Sequence, residues 1–374
     1  MRVLVTGANG FIGKNLSIRI KENSLFTLGT LVRDSSDEEF VREVGLADAI
    51  VHLAGENRPR SDTEYDFGNR ILTKRICDTL CDLNKRTPVI FASSQQALSN
   101  NLYGRSKKSA EQLLMALSSE NKNPVAIYRL PGVFGKWCKP NYNSVVATFC
   151  NNIATAMPIR VDDPAHVLDL VYIDDVIDSF IGYLKGPFSD ETQFKTIKSV
   201  YNISLGDLAK QIRAFADSRH SLVSERVGLG FLRALYSTYV SYLPCDEFQY
   251  LIPCHGDERG VFVEMLKTKD SGQFSFFTAH PGITRGGHYH HTKTEKFLVI
   301  KGNARFRFRH ILTDEVFSVD TSGKTPTIVE TIPGWSHDIT NNGDDELIVM
   351  LWANEIFDHD KPDTIASIIE NEKA

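Results

Sequence analysis

The hydrophobic period of this chain changes once, near Pro244, and that switch limits the possible folds more than any other feature. Before it, near-continuous apolar runs (Val3-Leu4-Val5, residues 27–32, Ala49-Ile50-Val51-His52-Leu53, Pro88-Val89-Ile90-Phe91-Ala92) alternate with amphipathic stretches at 14–21, 69–83 and 105–118. Strands that are apolar on both faces belong inside a sheet covered by helices, which predicts a parallel, doubly wound α/β domain. Residues 222–242, with Leu229, Leu232, Leu235, Tyr236 and Tyr239 at helical spacing, read as its closing helix. After Pro244 the strands are short and alternating, at 274–277, 296–300, 305–309 and 346–350. Turn residues such as Gly272, Gly286-Gly287, Gly302-Asn303 and Pro333-Gly334 separate them, predicting an antiparallel sandwich or barrel. The expected division is residues 1–245 for the α/β domain and 246–374 for the all-β domain.

Composition excludes several classes of function. A net charge of -5 leaves no electrostatic footprint for nucleic acid or an anionic membrane. No apolar run approaches the ~18 residues of a membrane helix, and the first strand pattern starts at Arg2 with no leader before it. The six cysteines are scattered and form no C-x-x-C pair, as expected of reduced thiols in a cytoplasmic protein.

Two stretches of the first half carry chemistry. Thr6-Gly7-Ala8-Asn9-Gly10-Phe11-Ile12-Gly13 follows the first strand and opens a helix. A glycine-rich turn there brings backbone N–H groups and a helix N-terminus up to a pyrophosphate. Arg33-Asp34 follows the second strand; an acid would bind a ribose 2′-hydroxyl and an arginine a 2′-phosphate. Both are present, and Arg33, nearer the strand end, favours NADPH. The second stretch is Ser93-Ser94 followed by Tyr103 and Lys107, which share a helix face at i, i+4. An ammonium beside a phenol favours the phenolate, suiting it to exchange a proton with a carbinol oxygen.

With these pieces, Asp48-Ala49-Ile50-Val51-His52-Leu53-Ala54-Gly55, Asn69, Arg129-Leu130-Pro131-Gly132-Val133-Phe134-Gly135 and Val171-Tyr172-Ile173-Asp174-Asp175-Val176, residues 1–240 resemble an extended short-chain dehydrogenase/reductase acting on nucleotide sugars. The resemblance implies Ser94, Tyr103 and Lys107 as the catalytic triad. It also implies cofactor contacts from Thr6, Gly7, Gly10, Phe11, Ile12, Gly13, Arg33, Leu53, Ala54, Tyr103 and Lys107. Dehydratases of this family carry acids directly after the serine or threonine; Gln95-Gln96 stands there instead, which favours simple reduction or oxidation.

The densest metal-grade chemistry lies in Arg285-Gly286-Gly287-His288-Tyr289-His290-His291-Thr292-Lys293-Thr294-Glu295. On a strand, His288 and His290 share one face while Tyr289 and His291 share the other, so Tyr289 reads as a packing residue. Glu295 follows after a turn, and His337 is a fourth donor from a distant strand. Imidazoles with a carboxylate are typical ligands of Zn, Fe, Ni or Mn. Gly282-x5-His288-x-His290-x4-Glu295-x6-Gly302 resembles the first motif of the cupins, which are small jelly rolls with the site inside the barrel. Pro333-Gly334-x2-His337-x3-Asn341 resembles the second motif, one residue shorter between proline and glycine. That resemblance implies His288, His290, Glu295 and His337 as ligands of one divalent metal, with zinc expected. Asp257–Glu264 and Arg285-Gly286-Gly287-His288 resemble instead the nucleotide-sugar 3,5-epimerase branch, in which the same His288 would be a general base without metal.

Together the halves resemble the bifunctional reductase/epimerases of capsular polysaccharide and O-antigen synthesis, in the UDP-N-acetyl-L-fucosamine pathway. That family implies C3 epimerisation of a UDP-2-acetamido-2,6-dideoxy-4-hexulose in the cupin. NADPH-dependent C4 reduction in the first domain would follow, by a homo-oligomer (dimer or tetramer). The alternatives are a monofunctional reductase with a structural or ligand-binding cupin, and a non-enzymatic NAD(P) redox sensor.

Overall fold

The computed structural model describes residues 1–374 apart from 59–60, 254, 258–259, 263–265, 269–271, 356–359 and 371–374, with backbone alone at 255–257, 260–262, 267 and 273–275. Of the Asp257–Glu264 motif, Glu258, Arg259, Val263 and Glu264 lie outside the described residues. Two compact units emerge: Met1–Ser144 with Leu168–Asn202, and Val145–Val167 with Ile203–Ala374.

In the first unit the apolar runs assemble into the expected parallel sheet. Its spatial order is Thr27–Leu31, Arg2–Thr6, Ala49–His52, Val89–Ser94, Val125–Leu130 and Gln193–Lys195. Leu4, Ile50, Val89, Phe91 and Ile127 form one buried cluster with Ile76 and Leu80 from the helix Leu72–Asp82 and Leu114 from Leu102–Asn121. Register places Thr6 beside His52, and His52 beside Phe91. The carboxyl ends of neighbouring strands, where open α/β sheets bind ligands, therefore converge on Thr6, His52 and Ser94. The helix expected at 69–83 is preceded by π-helical turns over Asp66–Ile71, which carry Asn69.

The second unit contains two antiparallel five-stranded sheets. One runs Gln249–Leu251, Thr327–Glu330, Glu295–Lys301, Leu347–Ala353, Gln273–Ala279; the other runs Val316–Ser322, Asn303–His310, Trp335–Asn341, Thr284–Tyr289, Ile365–Ala366. Side chains from the two sheets meet: the Phe297 ring lies 5.5 Å from Phe306 and 6.2 Å from His337. The helix expected over 222–242 is shorter, Gly230–Val240, after a strand at Val223–Ser224. Gly228 and Gly230 interrupt the helical period, and Gly230 adopts φ +57. This helix groups with Val145–Ala154 and Leu205–Ser221 in the second unit rather than closing the first. Among the described residues no helix is long and apolar enough to cross a membrane.

A buried ionic knot ties these helices to the sheets. The Glu330 carboxylate, 1% exposed, accepts from Lys296 Nζ (2.7 Å), Arg219 (2.6 Å) and Tyr236 OH (2.9 Å). Lys296 also donates to Tyr250 OH at 3.0 Å, over whose ring Arg219 lies. Oε1 takes Lys296 and Tyr236, and Oε2 takes Arg219. Glu330→Ala leaves two cations buried without their anion, so it should cost about 3–5 kcal/mol, read as a lower urea midpoint for the second unit.

Candidate active sites

The glycine turn is built for close approach. Gly7 has φ +68, and a Cβ on Gly13 would fall 2.2 Å from the Gly7 carbonyl. Gly10 precedes the helix Phe11–Lys21 without a side-chain cap, and no acid occupies its first turn, so its N–H groups suit an anion. Thr6 Oγ1 accepts from the N–H groups of Leu53 and Ala54, both at 3.2 Å, and lies 2.7 Å from His52 Nδ1. His52 Nε2 reaches Thr73 Oγ1 at 2.9 Å. Burial first, and Lys107 second, push His52 down to about 3, so a neutral ring locks two strand ends together. Sequence reasoning assigned His52 no role; a histidine inside an otherwise apolar strand was the signal available. Arg33 is on the surface, paired with Glu56 at 3.0 Å. These residues fit a dinucleotide: the turn is closed to side chains and open to phosphate.

Strand alternation separates the two serines. Ser93 turns inward, donating to Glu111 at 2.5 Å, and Glu111 grips Arg129 through both oxygens. Ser94 accepts the Gln96 N–H at 3.2 Å. The short connection between them is a 3-10 turn, Gln95–Leu98, against which the next helix packs. A Cβ on Gly104 would fall 2.0 Å from the Gln96 carbonyl, so only glycine admits this approach. Burial raises the Tyr103 phenol, and the Ser94 hydroxyl opposes it. Lys107 is buried, donates to Ala92 O at 3.0 Å, and is lowered by burial to about 8 against the pull of Glu111. Asn69 donates to Ser106 Oγ (3.0 Å) and to Glu56 O (2.9 Å), tying the π-helical turns to the Tyr103 helix. Beside Tyr103 opens a polar cleft of about 640 Å³ lined by Arg58, Arg105, Asn57, Asn101, Asn143 and Tyr65.

In the second unit, Gly286 and Gly287 adopt φ +98 and +76, and the register between their strand and Trp335–Asn341 shifts at this point. The bulge sets His288 directly opposite His337. His288, His290, Glu295 and His337 each offer a ligand atom within 4.8 Å of the others. Glu295 Oε2 lies 3.2 Å from His290 Nε2 and 3.3 Å from His337 Nε2, while Oε1 lies 2.8 Å from Lys293 Nζ. Tyr289 and His291 pack together on the opposite face, rings 5.6 Å apart. Asn341 bonds to Ala279 O and Asp345 O, shaping a turn rather than joining the cluster.

The electrostatics of this cluster suit a cation. Burial alone would raise Glu295, yet hydrogen bonding from His290 and His337 holds it well below the usual carboxylate range. Burial, then His337 and His290, push His288 down to about 3, and burial also lowers His337. The His288 and His337 rings are therefore neutral, the form that ligates a metal. His337 Nδ1 is buried with no hydrogen-bond partner among the described residues. A tetrahedral ion with ~2.1 Å bonds places donors ~3.4 Å apart, so a small contraction accommodates one, and the set fits a divalent metal.

This is the architecture of a nucleotide-binding α/β enzyme carrying an all-β module with its own polar site. The chain belongs to the NAD dependent epimerase/dehydratase family, whose model matches residues 3–204, and that membership implies a nicotinamide cofactor. Residues 255–365 match the Polysaccharide biosynthesis C-terminal domain. The chain is 52% identical, over 98% of its length and 98% of the relative's, to the UDP-2-acetamido-2,6-beta-L-arabino-hexul-4-ose reductase of Pseudomonas aeruginosa. Capsular polysaccharide assembling protein CapF from Staphylococcus aureus is 40% identical, with a TM-score of 0.68, covering 99% of this chain and 100% of that one. UDP-Glucuronic acid 4-epimerase from Bacillus cereus shares the fold of part of the chain, at 18% identity and a TM-score of 0.52, covering 58% of this chain and 84% of that one.

His288 folds with its pKa below the 6.5 of a free imidazole. The unfolded chain therefore binds more protons as pH falls below 6.5, and metal-free stability should decline from there toward about 3. Urea unfolding of chelator-treated protein across that window should show the decline, and His288→Gln should flatten it.

Proposed function

We propose that this chain performs two consecutive steps on a UDP-linked 4-keto-6-deoxy amino sugar. The cupin-like module epimerises C3 of a UDP-2-acetamido-2,6-dideoxy-4-hexulose. The first domain then reduces the C4 ketone with NADPH, giving the UDP-2-acetamido-2,6-dideoxy-L-talose product. One observation carries this reading: a chain 52% identical to a 4-ketosugar reductase also holds a buried His/Glu cluster that hydride transfer does not need. The order follows from the chemistry, because reduction removes the carbonyl that makes the C3 proton acidic.

At the reductase site, bound NADPH supplies the hydride. Tyr103 gives its proton to the forming C4 alkoxide, Ser94 orients that oxygen, and the Lys107 ammonium favours the phenolate left behind. The cations and amides of Arg58, Arg105, Asn57 and Asn101 suit a diphosphate and sugar hydroxyls. At the second site, a divalent metal such as zinc would supply Lewis-acid polarisation of the ketone, making the C3 proton more acidic. His290, Glu295 and His337 would hold it. His288, less buried than the other three, is the neutral imidazole that would take the C3 proton, and a proton returned from solvent on the opposite face completes the inversion.

Tyr103→Phe should abolish NADPH consumption while leaving solvent deuterium exchange at C3 intact; loss of both would sink the two-site reading. His288→Gln should do the reverse, slowing exchange while a pre-epimerised ketone is still reduced. Arg33→Ala should raise KM for NADPH more than KM for NADH, and equal changes would remove Arg33 from 2′-phosphate recognition.

A second reading, a reductase whose β module has no catalytic role, is favoured by the relative's name, which states reduction alone. Deuterium wash-in without NADPH separates the two. A redox sensor without catalysis has no use for Tyr103 and Lys107 one turn apart on a helix that follows Ser94.

A further inference from the structure

A short segment near the C-terminus is built into the histidine cluster. Ile365–Ala366 pairs with His288–Tyr289, and Ser367 N–H donates to Gly287 O at 2.7 Å. Arg309 reaches Ser367 Oγ at 2.8 Å, and Arg307 reaches Ile369 O at 3.2 Å. Just ahead of this strap, the Asp363 carboxylate accepts three successive backbone N–H groups, from His291 (2.8 Å), Thr292 (2.6 Å) and Lys293 (2.8 Å). It also accepts the Thr292 hydroxyl at 3.0 Å. Converging N–H groups of this kind form an anion-binding concavity, here filled by the chain's own acid.

The turn so held is the one that separates His290 from Glu295. The Asp363 carbonyl accepts the His290 Nδ1 hydrogen, which keeps a proton on Nδ1 and directs Nε2, 3.2 Å from Glu295 Oε2, to the cation that would replace its hydrogen bond. The same turn delivers Lys293 Nζ to Glu295 Oε1, which leaves Oε2 directed at the histidines.

We propose that Asp363 is a positioning residue of the cluster. Through its carbonyl it sets the tautomer and orientation of His290. Through its carboxylate it holds the turn that places Lys293 on Glu295, so that Glu295 presents a single oxygen to the cation. This rests on the reading that the His/Glu cluster binds a divalent metal. Outer groups that orient ligands in this way typically contribute roughly 10–100-fold to metal affinity.

The test is Co²⁺ titration of the full, metal-stripped chain, followed by visible absorption, for wild type, Asp363→Ala and the isosteric Asp363→Asn. Both variants should bind Co²⁺ roughly 10–100-fold more weakly with a shifted absorption band, while thermal melting of the first unit stays unchanged. Formate, which fits the space left by Asp363→Ala, should restore part of the affinity. If Asp363→Ala does not fold, Asp363→Asn decides alone. Wild-type affinity and an unshifted band in the folded variants would overturn the proposal. If wild type itself takes up no Co²⁺, the metal reading fails, and the positioning role is judged by ¹⁵N spectra of the histidine rings. An Nδ1-protonated His290 in wild type that averages between tautomers in the variant supports it; unchanged spectra overturn it.

Discussion

A carboxylate almost removed from water is the constraint on which the second half of this protein depends. Burial of Glu295 is tolerable only with positive charge or donors around it. Glu330 shows the closed solution to the same problem. Its oxygens are filled by Lys296, Arg219 and Tyr236, two of them permanent cations, and the result is a structural knot. Glu295 has one ammonium on one oxygen and imidazoles on the other. Those of His288 and His337 are driven toward neutrality by burial. Neutral rings around a carboxylate leave a place for one more cation. The two acids are alike in burial and differ in what surrounds them, and that difference separates scaffold from site.

The first half solves a different problem, setting a serine at one strand end beside the helix that carries both the phenol and the lysine. Strand alternation divides Ser93 from Ser94, and the tight packing at Gly104 brings the Tyr103 helix onto the turn that follows Ser94. Lys107 is buried, lowered to about 8, and anchored on a strand carbonyl. His52 and Thr6 join the strand ends beside the glycine turn, giving that site a rigid floor.

Much of this was legible from residue order because the relevant signals are local. The parallel sheet follows from apolar strands between helices, the antiparallel sheets from alternation punctuated by turns. The two strand faces at 288–291 follow from the period of two, and Tyr289 does pack with His291. Other features were not legible. Asp363 lies far along the chain from the turn it holds, and no spacing rule links an isolated Asp to three distant N–H groups. The helical period in 222–242 overstated its helix because Gly228 and Gly230 interrupt it, and periodicity carries no information about which unit a helix covers.

Residue order by itself determined the element types, the glycine turn, the Ser–Tyr–Lys set and the pool of histidines, because each depends on neighbours within a few residues. Tertiary structure decided which polar groups became charged, neutral or paired. It divided Ser93 from Ser94, made His52 a neutral tie, closed Glu330 with fixed cations and left Glu295 facing imidazoles. The physical reason is that pKa and ion pairing are set by burial and by groups brought close through space. Those distances exist only once the sheets have closed over them.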